Sequence, residues 1–234
     1  MDDIPHARGR NGYRCFPVAS RVDAFAPRPT LRILLDGRPA AALANLLPLL
    51  GCGEEAAGLA FEGLADCQGR DSVVAGTLRA IALEEHVHDG LIRHLQNCLP
   101  HAGDHAPLDA PRRFHIGLTR GGATLHLARI AALDSAVCTM LGRLLRPGGP
   151  IAADPGAASI LRRIHRDEAR HVRVTRGLAL ETGSARAMRD AAAAARDGLA
   201  NILVFAGDAF EDMKVDPASL DRDIRRLPDG LLTA

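Results

Sequence analysis

Two stripes at helical spacing carry an acid and an imidazole where a packed helix should be apolar. In the first, Leu78, Ile81, Glu85, His88, Ile92 and Leu95 follow one another at steps of three and four. In the second, Leu161, Ile164, Glu168, His171, Thr175 and Leu178 do the same. Such a stripe is the buried face of an amphipathic helix. A carboxylate there is costly unless it is paired, protonated or bound to a metal. The surrounding stretches are "LEEHVHDGL", residues 83–91, and "RDEARHVRV", residues 166–174. Each holds an acid pair, Glu84-Glu85 or Asp167-Glu168, and a histidine three residues past the second acid. One E-x-x-H match carries little weight, but two on inward stripes are much harder to dismiss; the alternative is two separate Glu–His pairs, buried or at the surface.

The spacing suits a metal, because residues i and i+3 lie side by side on a helix. A shared dinuclear site needs further carboxylates. Asp134 is the only acid in a helix predicted over 122–145, and it completes the stripe Leu127, Ile130, Val137 and Leu141. The midpoint between Asp134 and Glu168 is residue 151, inside the helix-breaking "RPGGPIAADPG". An antiparallel hairpin turning there sets the two acids at one height. For the other hairpin, Glu54 or Glu55 pairs with Glu85 about a turn in "QGRD", whereas Glu62 does not. Glu54 shares a stripe with Ala57, Phe61 and Leu64, and is preferred. Glu55, which shares one with Gly58 and Glu62, stays open as the alternative.

The pattern divides the chain into an irregular N-terminal arm (1–37), a helical domain (38–213) and a tail (214–234) whose short helix is capped by Asp216 with Pro217 at its first position. "PAAALANLLPLL" reads as a helix stopped by "GCG", and a second helix starts at "EEAAGLAFEGLADC". The next runs from Asp71 or Ser72 to about Cys98. Residues 99–121 read as an aperiodic loop, long enough to cross a bundle of ~30 Å at about 3.3–3.6 Å per residue. Helices are expected over 157–182 and from Ser184 to about residue 213.

A net charge of +1, 3% aromatic residues and no Trp leave no footprint for a nucleic acid. The five cysteines form no C-x-x-C pair, which argues against a disulfide framework and against a rubredoxin-type site. With no leader pattern and no long apolar span, a cytoplasmic protein that does not enter the membrane is expected.

On "EEHVH", "DEARH" and the two supporting acids, the chain resembles the ferritin-like non-haem di-iron carboxylate proteins over roughly residues 53–182, and in particular their oxygen-activating branch. The resemblance implies an all-α fold, a four-helix bundle with one long crossover, here with additional C-terminal helices. It implies two iron ions, or an Fe/Mn or Mn centre with the same donors, held by Glu54, Glu85, His88, Asp134, Glu168 and His171. Glu85 and Glu168 would bridge. The acid before each bridging glutamate would orient the histidine of the other helix, Asp167 for His88 and Glu84 for His171. His165 is expected beside the ligands rather than among them, and His86 and His126 in solvent. Asp134 stands where many members have Glu. Tyr13, the only tyrosine, lies in the arm and away from a radical-bearing position.

The activity implied is O₂-dependent oxidation of a small organic substrate, with an electron-donor protein as a partner. One alternative is peroxide or iron handling without an organic substrate. Another is a metal-free helical interaction protein, for instance a homodimer through residues 184–213. An apolar cavity beside the metal ligands separates the first reading from the second.

Overall fold

Helix α1 (Gly37–Asp66) runs straight through the predicted stop at "GCG", with Pro48 inside it. The local signal for a break loses to packing. Each helical glycine costs about 1 kcal/mol relative to alanine. Against that, Leu43, Leu46, Leu47, Leu50 and Cys52 are buried along the same turns, and each large apolar side chain contributes roughly 1.5–3 kcal/mol.

The computed structural model describes residues 15–16, 31–69, 72–100, 108–181 and 184–227, and among these all regular structure is helical. After α1 come α2 (Val73–Asn97), α3 (Asp109–Leu118), α4 (Ala123–Leu144), the short α5 (Pro150–Ala153), α6 (Pro155–Leu180), α7 (Ala185–Leu203), α8 (Gly207–Asp212) and α9 (Pro217–Arg225). Short connections make α1/α2 and α4/α6 two helical hairpins, and α2 packs on α6. The two helices carrying E-x-x-H therefore touch. Helix α7 lies along α4, α8 closes on α1, and α3 bridges α1 and α7.

Several expectations are corrected. Part of the supposed loop 99–121 is helix α3, which buries Pro111 and Leu118. Its ten residues are too short for a periodicity to stand out, and packing supplies what propensity does not. The helix expected to reach residue 213 stops at Leu203, and a 3-10 turn (Val204–Ala206) precedes α8. The turn leaves Phe205 80% exposed and swings Phe210 into the core at 1%. The cysteines are not all free: Cys15 and Cys52 form a disulfide that ties the arm to α1, while Cys67, Cys98 and Cys138 are thiols. The cysteine pattern thus gives no ground for a reducing compartment. Of the arm and tail, residues 1–14, 17–30 and 228–234 lie outside the described residues, as does Tyr13. Helix α4 is long and apolar enough to cross a membrane, but 67% of its most apolar window is buried inside the protein.

The apolar interior falls into two clusters. One holds Leu47, Leu50, Ile92, Leu95, Leu141, Leu161 and Ile164, and the other Phe61, Leu64, Leu78, Ile81, Leu127, Ile130 and Ala179. Along α1, α2 and α6 the polar residues 54, 85, 88, 168 and 171 fall between the two. On α4 the boundary falls at Leu133 and Asp134. The bundle is a polar layer held between two oily ones.

Candidate metal centre

Glu54 on α1, Glu85 and His88 on α2, and Glu168 on α6 form one buried cluster whose candidate ligand atoms all lie within 4.8 Å of one another, close enough to hold a metal ion. His88 Nδ1 is 3.2 Å from Glu54 Oε2, 3.3 Å from Glu85 Oε2 and 3.2 Å from Glu168 Oε1. One ring nitrogen donates one hydrogen, so three carboxylate oxygens cannot all be satisfied by it. Their convergence is what a cation would reward.

His171 extends the cluster. Its Nδ1 lies 2.8 Å from Glu85 Oε1 and 3.7 Å from Glu168 Oε2. Thus Glu85 and Glu168 each turn one oxygen toward His88 and the other toward His171. The two imidazoles stand 5.9 Å apart between centroids. Although close, Glu85 Oε1 and His171 Nδ1 are out of line for a hydrogen bond, and Glu168 Oε1 also lacks one. Asp134 is buried at the same layer, with Oδ2 unpartnered, and lines one cavity together with Glu54, Glu85 and Glu168. Orphaned buried oxygens are expensive, and these belong to hard donors that suit a divalent cation.

The outer nitrogens of both rings are held by the neighbouring acids. His88 Nε2 is 3.2 Å from Asp167 Oδ2 on α6, and His171 Nε2 is 2.8 Å from Glu84 Oε2 on α2. Each E-x-x-H helix supplies the acid that fixes the other's imidazole, leaving both Nδ1 atoms facing inward. Arg170 in turn donates to Glu84. That arginine was not singled out from the sequence, although it sits between Glu168 and His171 on the same helix.

The alternative first-helix acid, Glu55, is engaged elsewhere. Its Oε2 accepts the backbone N–H of Cys15 at 2.9 Å and of Phe16 at 2.8 Å. Glu62 faces His86 at 3.0 Å. His86 is therefore half-buried rather than solvated, packed so close to Gly58 that a Cβ there would lie 2.9 Å from its ring. His126 also departs from expectation. It is buried, and burial with the Arg129 charge pushes its pKa down to about 4. His165 is half-buried near Gly142 of α4, and among the described residues no hydrogen bond or ion pair joins its side chain to the cluster.

Charge is distributed tightly. Burial, with the Glu168 and Glu85 charges, holds the Glu54 carboxyl well above its ordinary range despite its His88 contact. Burial, with Glu168 and Glu85, does the same to Asp134. For Glu85 burial pulls upward, but the contacts with His171 and His88 outweigh it and bring the pKa to about 2. Burial lowers both histidines, yet the carboxylates outweigh it, raising His88 far above its usual value and His171 to about 11. These shifts favour the protonated forms of both imidazoles, of Glu54 and of Asp134 while no metal is bound.

The consequences for pH have a definite sign. His171 favours the folded state fully below its ordinary 6.5, and this contribution is lost as pH rises through about 11. Raised Glu54 and Asp134 act in the same direction from their own lower reference values. Glu85 contributes above 4.5 and loses that contribution as pH falls through about 2. The melting temperature of metal-free protein is therefore expected to fall between pH 6 and 10. Cation binding must displace protons, so affinity should weaken on acidification. Circular-dichroism melts across this range, and Mn(II) titrations at pH 6 and 8, check both. An affinity that rises on acidification would contradict the assignment.

Glu84→Gln and Asp167→Asn each remove an acceptor that orients an imidazole. Each is expected to weaken metal binding about 10–100-fold while leaving the fold intact. Competition against a chromogenic chelator reads the change, and wild-type affinity in both variants would remove these acids from the site.

Compared with family models, with curated protein sequences and with solved structures, the chain matches none of them. The case for its chemistry rests on the residues themselves.

Proposed function

We propose that the chain is a ferritin-like dinuclear metal enzyme that uses O₂ to oxidise a small organic substrate. The observation that carries this reading is the paired placement of Glu85 and Glu168, each with one oxygen toward His88 and one toward His171. So placed, Glu85 and Glu168 would each offer a donor to both halves of a two-metal site, with one histidine on each side. Glu54 would complete the His88 side and Asp134 the other. Four carboxylates balance two divalent cations, so the loaded layer is near neutral and suited to burial between apolar clusters. Two ferrous ions, or a mixed Fe/Mn or Mn pair, would supply the electrons and open coordination positions that O₂ reduction needs.

The protein's own groups define the rest. Asp167 and Glu84 hold the imidazoles in one tautomer. The cavity that touches Glu54, Glu85, Asp134 and Glu168 is otherwise lined mainly by aliphatic side chains, which keep bulk water away from the reacting centre. A donor protein would return electrons between turnovers.

A second reading is favoured by the size of the cavity directly against the carboxylates. The cavity against the carboxylates is only about 70 Å³, a size that admits peroxide readily. The test is oxygen uptake by protein loaded anaerobically with Fe(II), alone and with added H₂O₂. Consumption of O₂ that ceases in Glu168→Ala supports the oxygenase reading. Rapid oxidation by H₂O₂ with negligible O₂ uptake supports peroxide handling. Inertness to both would remove either activity.

A further inference from the structure

The cavity beside the carboxylates is chemically two-sided. One wall is Glu54, Glu85, Asp134 and Glu168, and the other includes Leu46, Leu50, Val137, Met140, Leu199 and Leu203 from α1, α4 and α7. Among the described residues its one aromatic ring is the imidazole of His115, which is also its one hydrogen-bonding side chain besides the four acids; the neighbouring cavity adds Phe16, Thr119 and His126. A second cavity, of about 230 Å³, adjoins it, and His115, Asp134, Leu133, Ala57 and Gly53 line both. The larger of the two approaches the ~300 Å³ lower end usual for small-molecule pockets.

His115 belongs to α3, and α3 is keyed in place by its neighbour. Phe114 fits against Gly198 of α7 so closely that a Cβ at 198 would lie 2.5 Å from the ring. The His115 ring stacks edge-on to Phe114 with centroids 5.1 Å apart, and it makes no hydrogen bond to any described residue. A half-buried imidazole that lines an apolar chamber and has no hydrogen-bond partner among the described residues is placed to meet a ligand.

We propose that these joined cavities bind a small, uncharged aliphatic molecule with one polar end, such as a primary alcohol, aldehyde or amide, and that His115 is the residue that receives the polar atom. The proposal rests on the metal reading only for which atoms react. The binding itself follows from the lining. The chain would lie along the leucine wall, where each buried methylene contributes about 0.8 kcal/mol. An anion is disfavoured by the cost of desolvating a charge in an apolar chamber. Burial pushes the His115 imidazole down to about 4, so near neutral pH it offers one N–H and one lone pair and attracts no counter-ion.

The test is calorimetric titration of the full chain with 1-hexanol and with hexanoate, which share a chain and differ in charge. It is run on metal-free and Co(II)-loaded protein. Saturable hexanol binding is expected, at least ten-fold tighter than hexanoate, with a change in the Co(II) visible spectrum. His115→Phe should weaken hexanol ten-fold or more, His115→Asn should restore most of it, and Met140→Trp should abolish it by filling the chamber. Hexanol that fails to bind folded wild-type protein, binds His115→Phe equally, or binds no better than hexanoate overturns the proposal. Failure to take up Co(II) strikes the metal reading instead, and the alcohol isotherm is still read without it.

Discussion

Glu85→Ala is expected to lose metal binding by more than the ~100-fold upper end seen when orienting acids are removed. Glu85 sits where α2 faces α6, with Oε2 3.3 Å from His88 and Oε1 2.8 Å from His171. Removing it takes a donor from both halves of the cluster at once. In metal-free protein it also leaves the two imidazoles facing each other with one anion fewer, and breaking a buried pair from one side costs about 3–5 kcal/mol. The variant should therefore be less stable than wild type without metal and gain little from adding it. Glu85→Gln keeps the volume and separates loss of charge from loss of packing. Equilibrium denaturation with and without Mn(II), alongside a chelator competition, reads both effects. Wild-type affinity in Glu85→Ala would remove this residue from the centre.

Asp154→Ala should be the most damaging substitution far from the carboxylates. Asp154 is 2% exposed. Its Oδ1 accepts the N–H of Ala157 at 2.9 Å, capping α6, and its Oδ2 accepts the N–H groups of Leu34 at 2.5 Å and Leu35 at 2.8 Å. One carboxylate thus starts the helix that carries Glu168 and His171 and fastens the segment before α1 to it. Losing a cap costs about 1 kcal/mol, and losing two part-buried hydrogen bonds to a charged acceptor adds about 1–2 kcal/mol each. A loss of about 3–5 kcal/mol in urea denaturation is expected, with Asp154→Asn intermediate. A change under 1 kcal/mol would mean the three donors find other acceptors.

The polar layer was legible in the sequence because it breaks a periodic pattern. Glu85, His88, Glu168 and His171 interrupt stripes of Leu and Ile, and helical spacing then dictates which residues share a face. The choice of Glu54 over Glu55 also follows from neighbours on α1, and the structure adds the reason Glu55 is occupied: it accepts two N–H groups from the arm. The helical hairpins were readable from Pro and Gly in their turns. What escaped was decided by tertiary contact. Helix α1 passes through "GCG" because its apolar face stays buried. Helix α3 exists because Phe114 finds Gly198, some eighty residues away in sequence. The Cys15–Cys52 pairing likewise depends on where the arm lies, which cysteine spacing does not encode. His115 was missed for the same reason: its stretch carried no period, so nothing marked the face it would present to the cavity.

The most direct test of the account is the number of metal ions per chain. Protein prepared metal-free and titrated anaerobically with Fe(II) should bind two ions per chain by elemental analysis after desalting. The Glu85→Ala/His171→Ala double variant, shown by circular dichroism to be helical, should retain none. Folded wild-type protein that retains no iron, or a single ion unaffected by the double substitution, would contradict a dinuclear centre and leave a helical bundle with two buried Glu–His pairs.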